Sequence, residues 1–267
     1  MRKIAFIGVG NMANAIIGGL LRSGVVDCPH LILSDKFPEK CVPYTEGGAT
    51  LAASPAEAAA TADCVVLAVK PQNFPEVLDE LSRVEGIENK LIVTIAAGIT
   101  VEAVKTALHG AATVRVLPNT PMLIGMGVSV ICHAPDVDPA DFAFVSAMFE
   151  ASGSVTVIDE AEMNRIISVT SSSPAYVFAF IHAICEGAKA QGLDGDALLP
   201  AVCDMVIGSA TLLRDGGLSP NQQISRVTSK GGTTEQAMAV LSERGMADMV
   251  KDAMQACTNR ADELANN

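Results

Sequence analysis

A glycine-rich turn near the start of the chain has the residue types and spacing that bind a diphosphate. Residues 8–13 read G-x-G-x-x-A, follow an apolar run and precede a helical pattern. The first glycine permits a tight bend, the second lets a pyrophosphate approach the backbone, and the small third residue lets the helix pack on the strand. The free N–H groups of that helix then face the phosphates. We predict that Gly8, Gly10, Asn11, Met12 and Ala13 bind a dinucleotide.

A second glycine pair, in the polar loop that ends at residue 237, is suited to a small anion. Thr233 is predicted to be the N-cap of the next helix, with Gln236 bonding back to it. Gly231 and Gly232 would expose backbone N–H groups just ahead of the positive end of that helix. Such a site fits a carboxylate. A capping motif that binds no ligand is the alternative.

The end of the second predicted strand reads Ser34-Asp35-Lys36, which is where a dinucleotide enzyme reads the ribose. A carboxylate there favours an unmodified ribose and NAD, whereas Ser34 and Lys36 could hold a 2′-phosphate and favour NADP. An aspartate after a strand is also often only a turn former. These residues therefore predict a ribose site without choosing between the two cofactors.

Three further predicted strand ends carry residues suited to the ligand crevice beyond the carboxyl edge of a parallel sheet. Small residues let a ribose and a nicotinamide lie on the backbone, and an asparagine offers a donor and an acceptor to a carboxamide. The alternatives to a cofactor contact are that Lys70 is a solvated lysine and that Asn119 is a turn residue. The predicted cofactor contacts at these ends are Ala68, Val69, Lys70, Pro71, Ala96, Ala97, Gly98 and Asn119.

The elements that must position these residues follow from the hydrophobic pattern. Up to about residue 159, short β-branched runs alternate with helical patterns, which predicts a parallel, doubly wound, Rossmann-like sheet with helices on both faces. Ser54-Pro55-Ala56-Glu57 marks a helix start. The predicted strands are Lys3–Val9, His30–Ser34, Cys64–Val69, Leu91–Ile95, Thr113–Val116, Gly127–Ile131 and Ser154–Ile158, with a helix at about 139–151 before the last.

After Asp159 the strand pattern stops, so we place a domain boundary there: a dinucleotide-binding domain at 1–159 and an all-helical domain at 160–267. Helices are predicted at about 160–190, 195–214, 234–244 and 246–264. A helical domain with alanine-rich and methionine-containing faces is expected to bury surface against a second copy. A bundle folded on its own sheet domain is the alternative.

Composition narrows the class of protein. The chain has 267 residues, 49% of them hydrophobic, and a formal charge of −12. This charge argues against nucleic-acid partners, because no basic run is present. The longest apolar stretch after the first strand, 175–185, is about half of the ~20 residues that span a bilayer. We therefore expect a cytoplasmic protein without a membrane segment.

The cysteines and histidines predict neither disulfides nor a metal site. Seven scattered cysteines without a C-x-x-C pair suit reduced thiols. His182 and Cys185 share a helical face, but two ligands fall short of the usual four. A polar run at Thr170-Ser171-Ser172-Ser173-Pro174 is costly early in a helix, and its cost suggests local strain beside a ligand.

Taken together, the motifs resemble those of the pyrroline-5-carboxylate reductase family along essentially the whole chain. The two specific ones are residues 172–176, Ser-Ser-Pro-Ala-Tyr, and residues 228–234, which carry the Thr-Ser pair and the Gly-Gly-Thr-Thr run. The strand-end residues and the G-x-G-x-x-A turn are shared by many dinucleotide enzymes.

The resemblance implies an NAD(P)H-dependent reduction of the C=N bond of 1-pyrroline-5-carboxylate to L-proline, with NADPH preferred and NADH as the other cofactor. It also implies a homodimer with intertwined helical domains, in some members a decamer built as a pentamer of dimers, and a substrate cleft at the dimer interface. By position, Thr234 would hydrogen-bond the ring nitrogen. Ser229 and the backbone of Gly231, Gly232 and Thr233 would hold the carboxylate.

Some positions depart from the family pattern. Ser171 replaces a usual glycine, Lys230 a common proline and Ser225 a usual aspartate, while Gly216-Gly217 replaces an acid. The last change puts in doubt the water-mediated contacts to the substrate amine.

Two other functions compete with this one. A β-hydroxyacid dehydrogenase would need a lysine early in the linking helix, but none lies between Asp159 and Ala188. A dinucleotide-sensing regulator would bind the cofactor without turnover, and the intact 228–234 loop argues against it.

Overall fold

The computed structural model describes residues 1–265 and divides into two compact units. The sheet unit contains Met1–Pro174 together with the chain from Cys257 onward, and the helical unit is Ala175–Ala256. Two segments that follow the boundary we placed at residue 159, 160–174 and 257–265, therefore pack with the sheet.

The sheet unit is built on an eight-stranded sheet with the order β3-β2-β1-β4-β5-β6-β7-β8. Every neighbouring pair is parallel except β6 and β7, which are antiparallel. The strands are β1 Ile4–Ile7, β2 Leu31–Ser34, β3 Thr50–Leu51, β4 Cys64–Leu67, β5 Leu91–Thr94, β6 Thr113–Leu117, β7 Gly127–His133 and β8 Gly153–Val157.

The doubly wound prediction is confirmed, but the expectation of a wholly parallel sheet is wrong at β6 and β7. Only a short 3-10 helix, Thr120–Ile124, connects these two strands. A parallel return needs a crossover of a dozen or more residues, so the chain can only turn back beside itself.

The inner strands are apolar along their whole length because both faces of the sheet are covered. In β1, Ile4 and Phe6 join one buried hydrophobic cluster, whereas Ala5 and Ile7 join a second cluster. This alternation assigns successive residues of one strand to opposite faces. The result is a sheet held rigidly from both sides, with its carboxyl edge free to carry a site.

The helices largely follow the predicted pattern. Ser54 caps the predicted helix, since its Oγ accepts a hydrogen bond from the N–H of Glu57 at 3.2 Å. The Glu57 carboxylate in turn accepts from the N–H of Ala53. The pattern missed β3, α2 and α10. The α-helices are α1 Asn11–Ser23, α2 Val42–Thr45, α3 Pro55–Ala60, α4 Phe74–Leu81, α5 Val101–Ala107, α6 Pro139–Glu150, α7 Met163–Ile166, α8 Ser173–Ala190, α9 Leu199–Asp215, α10 Pro220–Val227, α11 Thr233–Glu243 and α12 Met246–Ala265.

The single helix predicted over 160–190 is interrupted. A 3-10 turn at Glu160–Glu162 leads into α7, and a π-helical turn at Ile167–Ser171 precedes α8. Pro174, which has no N–H, stands one turn after the π-helical segment and prevents a regular α-helical ladder. The helix predicted from 195 begins only at Leu199, where Pro200 occupies the first turn.

By length and composition alone, the helical stretch Glu160–Ala190 could cross a membrane, with a mean hydropathy of 1.3. The stretch is longer than the apolar run 175–185, from which we predicted no membrane segment. In a single chain, few of its residues are buried, and the rest are half-buried or exposed. Helices that pack against protein meet the same criterion.

Candidate active site

The pyrophosphate turn has the geometry that its sequence predicts. Gly8 has φ +94° and donates its N–H to the carbonyl of Ser34 at 2.7 Å. A Cβ at this position would lie 2.9 Å from the carbonyl oxygen of Ala68, whereas a Cβ at Gly10 would meet only open space. Helix α1 starts directly after Gly10 without a side-chain cap. A tight backbone, an open approach and uncapped N–H groups thus meet at one point, as an anionic diphosphate requires.

A cavity of about 440 Å³ opens beside this turn, at the carboxyl ends of β1, β2 and β4. Its walls combine glycines, apolar side chains and charged side chains of both signs. Of the residues predicted to bind the cofactor, it brings together Gly8, Gly10, Ser34, Asp35, Lys36, Ala68, Val69 and Lys70.

Asp35 is turned toward the protein. Its carboxylate accepts from the N–H of Val9 at 2.7 Å, from the N–H of Phe37 at 2.8 Å and from Lys40 Nζ at 3.2 Å. Partial burial acts to raise the pKa of Asp35, but these hydrogen bonds outweigh it and hold the pKa below its ordinary value. The aspartate therefore supports the turn between β1 and α1 as an ionised acceptor.

Lys40 and Phe37 are cavity residues that the sequence analysis missed. Lys40 Nζ lies 4.6 Å from the ring centroid of Phe37 and ion-pairs with Asp35, while Lys36 Nζ lies 3.1 Å from a Glu76 carboxylate oxygen. Two lysines within five residues of Asp35 were the available signal. Both cations line the cavity, and a lysine is a suitable partner for a phosphate group.

The turn after β5 follows the carboxyl end of the next strand of the sheet, and its residues do not line this cavity. Ala96 and Gly98 are buried, and Ala97 is half-buried. A Cβ at Gly98 would lie 2.7 Å from Leu264 Cβ in α12, so the close approach at Gly98 is made by the end of the last helix. The small residues at 96–98 thus serve packing within the sheet unit, in addition to any ligand that lies on them.

Asn119, after β6, is buried and engaged at both ends of its amide. Its Oδ1 accepts from the N–H of Val128 at 2.8 Å, and its Nδ2 donates to the carbonyl of Thr170 at 3.0 Å. A carboxamide ligand would find only the second N–H and the second lone pair of this side chain. The other residues predicted around the crevice, Asn11, Met12, Ala13 and Pro71, lie at the starts of the helical turns that follow β1 and β4.

The loop before α11 differs from its prediction. Gly232 is the N-cap, Thr233 is the first helical residue, and no side chain caps the helix. The N–H of Gly231 donates to the Glu235 carboxylate at 2.8 Å, and the N–H of Gly232 donates to the carbonyl of Ser229 at 2.9 Å. The prediction that Thr233 caps and that Gln236 returns to it is wrong.

The reason is the backbone at Gly231. With φ +74°, this glycine folds the chain back on itself, so both glycine N–H groups bond within the loop. The groups left for an anion are the N–H groups of the first turn, at Thr233, Thr234 and Glu235. Thr234 is half-buried there, whereas Ser229 is exposed. The two glycine N–H groups are therefore not available to an anion, and the N–H groups of the helix itself are the remaining candidates.

The cysteine and metal predictions concern side chains that lie apart from these sites. All seven cysteines are free thiols. Among residues 1–265, no group of three or more His, Cys, Asp or Glu side chains is arranged to hold a metal ion. His182 is exposed, and Cys185 is buried on the same helix.

Comparison with protein families finds two matching models. One, described as pyrroline-5-carboxylate reductase dimerisation, matches residues 160–264. The other, described as NADP oxidoreductase coenzyme F420-dependent, matches residues 3–98. The first model begins where the sequence pattern changes from alternating strands and helices to helices alone.

Individual relatives match over their full length. The pyrroline-5-carboxylate reductase of Escherichia coli is 35% identical over 266 residues, covering 99% of this chain and 98% of that protein. The Mycobacterium leprae protein of the same name is 30% identical, with 99% and 97% covered.

Solved structures share the fold. A pyrroline-5-carboxylate reductase from Coxiella burnetii aligns with a TM-score of 0.88 at 30% identity, covering 99% of this chain and 98% of the other. The Plasmodium falciparum pyrroline carboxylate reductase, solved with NADP bound, aligns with a TM-score of 0.91 at 23% identity over the same shares, which shows a common fold.

Proposed function

This chain belongs to the pyrroline-5-carboxylate reductase family, and we propose that it reduces the C=N bond of 1-pyrroline-5-carboxylate to L-proline with NADPH, the last step of proline biosynthesis. One observation carries the proposal. Helix α1, beside the cavity, begins after a glycine without a side-chain cap, and α11, in the helical unit, begins in the same way. One suits the diphosphate of a dinucleotide and the other suits a carboxylate.

The residues at the cavity fit the cofactor. The turn from Gly8 to Ala13 would hold the pyrophosphate, and Ser34 with Lys36 would hold the 2′-phosphate. Because Asp35 already accepts from two backbone N–H groups, its carboxylate is less available to an unmodified ribose. This arrangement favours NADPH over NADH.

When bound, NADPH supplies the hydride, and the chain supplies orientation. The first-turn N–H groups of α11 would bind the substrate carboxylate, with Ser229 at the rim of the same loop. Thr234 would hydrogen-bond the ring nitrogen with its hydroxyl. A cyclic imine is basic enough to bind protonated, so its carbon is electrophilic without a strongly acidic side chain nearby. Alignment of donor and acceptor carbons can contribute ~7 to 11 kcal/mol to the lowering of the barrier.

The assembly follows from the helical unit. We propose a homodimer through this unit, with the substrate cleft at the dimer interface, and a decamer of five dimers as the larger form. A second copy would cover the apolar stretch Glu160–Ala190, which accounts for its composition without a membrane. A cytoplasmic location, and a domain boundary in sequence between residues 159 and 160, belong to the same proposal.

The test is turnover by the purified chain. Incubation with NADPH and 1-pyrroline-5-carboxylate should lower the absorbance of the reduced nicotinamide and yield proline in equal amount. A sensing protein would bind NADPH without this change, and a hydroxyacid dehydrogenase would instead oxidise a β-hydroxyacid. Either result would reject the proposal.

A further inference from the structure

The polar run at 170–174 creates a backbone problem that the sequence makes visible. In an α-helix the carbonyl of residue 170 accepts from the N–H of residue 174. Residue 174 is a proline and has no N–H. The carbonyl of Thr170 therefore lacks its normal donor, at a half-buried position where an unpaired group is costly.

The structure supplies the missing donor from elsewhere in the chain. The Ile167–Ser171 segment widens into a π-helical turn, closed by the N–H of Ser172 on the carbonyl of Ile167 at 2.8 Å. The carbonyl of Thr170 accepts a hydrogen bond from Nδ2 of Asn119 at 3.0 Å. One side chain, 51 residues away in sequence, replaces a backbone hydrogen bond of the linking helix.

Asn119 is held rigidly enough to act in this way. It is 6% exposed, and its Oδ1 is fixed by the N–H of Val128 in β7 at 2.8 Å. The buried Arg115, in β6, donates to Asn164 Oδ1 at 2.7 Å. Strand β6 and the residue that follows it thus hold the linking segment at two points.

The bond places the π-helical turn at the functional edge of the sheet. Asn119 follows the carboxyl end of β6, on the opposite side of β1 and β4 from the ribose residues after β2. A dinucleotide that lies across the point where strand order reverses has its nicotinamide on the β5 and β6 side. π-Helical turns inside helices are frequent at functional sites.

We propose that Asn119 is a positioning residue for hydride transfer: by donating to the Thr170 carbonyl that Pro174 leaves without a donor, it fixes the π-helical turn beside the nicotinamide. In this role the Asn119 amide does not contact the nicotinamide carboxamide. The bond to the Thr170 carbonyl replaces the direct contact expected from the sequence. The inference rests on the proposed function, since it concerns the geometry of that same reaction.

The experiment is a double-mutant cycle in the full-length protein. Asn119→Asp keeps the acceptor for Val128 and removes the donor to Thr170. Pro174→Ala restores a backbone N–H that can donate to Thr170. We expect Asn119→Asp alone to lower kcat about 10- to 100-fold, as misplacement of reacting groups does. NADPH affinity should change little, and the primary isotope effect with deuterated NADPH should rise. In the Pro174→Ala background the same change should lower kcat about threefold or less.

Two results would overturn the proposal. One is an equal loss of kcat in both backgrounds, which would mean that Asn119 acts directly on the reactants and not through the linking helix. The other is altered discrimination between NADPH and its 3-acetylpyridine analogue, which lacks the carboxamide NH2 group. If Asn119→Asp does not fold, the double variant should fold, and failure of both would also reject the proposal. Turnover by the unmutated protein tests the proposed function separately.

Discussion

The sheet unit and the helical unit place their apolar side chains differently. The sheet unit buries them in two clusters on either face of the sheet. In the helical unit, whose residues 175–256 are all described, Cys185 is the only buried hydrophobic residue, and large side chains such as Phe178 and Ile207 are 62% and 58% exposed. One unit carries its own core, whereas the other needs a partner surface to complete one.

Both units contain a helix start whose backbone N–H groups are suited to an anion. Helices α1 and α11 both begin after a glycine and lack a side-chain cap, whereas α3, α5, α6 and α10 are capped by Ser54, Thr100, Asp138 and Ser219. Helices α4 and α9 also lack a side-chain cap, but they begin after Asn73 and Leu198. A capped helix start has used N–H groups that a ligand would need. The units therefore differ in how they bury apolar side chains, but each contains a helix start after a glycine that is a candidate position for an anion.

The largest expected effect tests the helical side of this comparison. Phe178→Asp puts a charge on an apolar face of α8, and we expect the dimer dissociation constant to rise at least about 1000-fold, since burying an unpaired charge costs several kcal/mol. Sedimentation over a range of concentrations measures it. Asn89→Asp adds the same charge to an exposed turn of the sheet unit and should leave assembly unchanged. A dimer of normal affinity in Phe178→Asp would remove this face from the interface.

A change at Gly8 tests the sheet side. Gly8→Val places a β-branched residue at φ +94° with its Cβ 2.9 Å from the carbonyl oxygen of Ala68. We expect NADPH affinity to fall about 100-fold, because a strained turn costs up to ~3 kcal/mol and displaces the amides of α1. Titration calorimetry measures the binding. Gly110→Ala, in a turn where a Cβ meets no atom within 4 Å, is the matched control. Assembly should be normal in both variants, and loss of assembly in Gly8→Val would contradict the separation of the two units.

The role of Thr234 predicts a smaller effect, confined to turnover. Thr234→Ala should lower kcat about 10- to 100-fold with NADPH affinity unchanged, because it removes one oriented hydrogen bond to the reacting group. Thr234→Ser keeps the hydroxyl and should keep most of the activity. Steady-state kinetics decides this, and full turnover by Thr234→Ala would remove the residue from its assigned role.

The smallest effect concerns the charge beside the anion site. Glu235→Gln keeps an acceptor for the N–H of Gly231 but removes a negative charge from the first turn of α11. We expect the KM for the imine acid to fall about two- to fivefold with kcat unchanged, the scale of a charge at a helix end. Glu243→Gln, at the other end of the same helix, should not lower KM. A higher KM in Glu235→Gln would mean that the carboxylate attracts the protonated ring nitrogen instead.

Local patterns explain which predictions were confirmed. The G-x-G-x-x-A turn, the helix marked by Ser54 and the buried strand runs depend on residues close together in sequence, where backbone sterics and hydrophobic period decide the conformation. The loop before α11 is also local, yet its cap was predicted wrongly. A threonine three residues before a glutamine fits a capping box, but the left-handed backbone of Gly231 moved the cap to Gly232.

The sequence by itself determined the doubly wound sheet, the change to helices after Asp159, and the residue types of the two anion sites. Only the tertiary structure decided how several of those side chains are used. Asp35 turns onto Val9, Lys40 joins the cavity, and Asn119 bonds the linking helix. Each of these depends on hydrogen bonds or ion pairs between elements, and the partner that a polar side chain finds there is set by the packing of whole strands and helices, which short-range spacing does not encode.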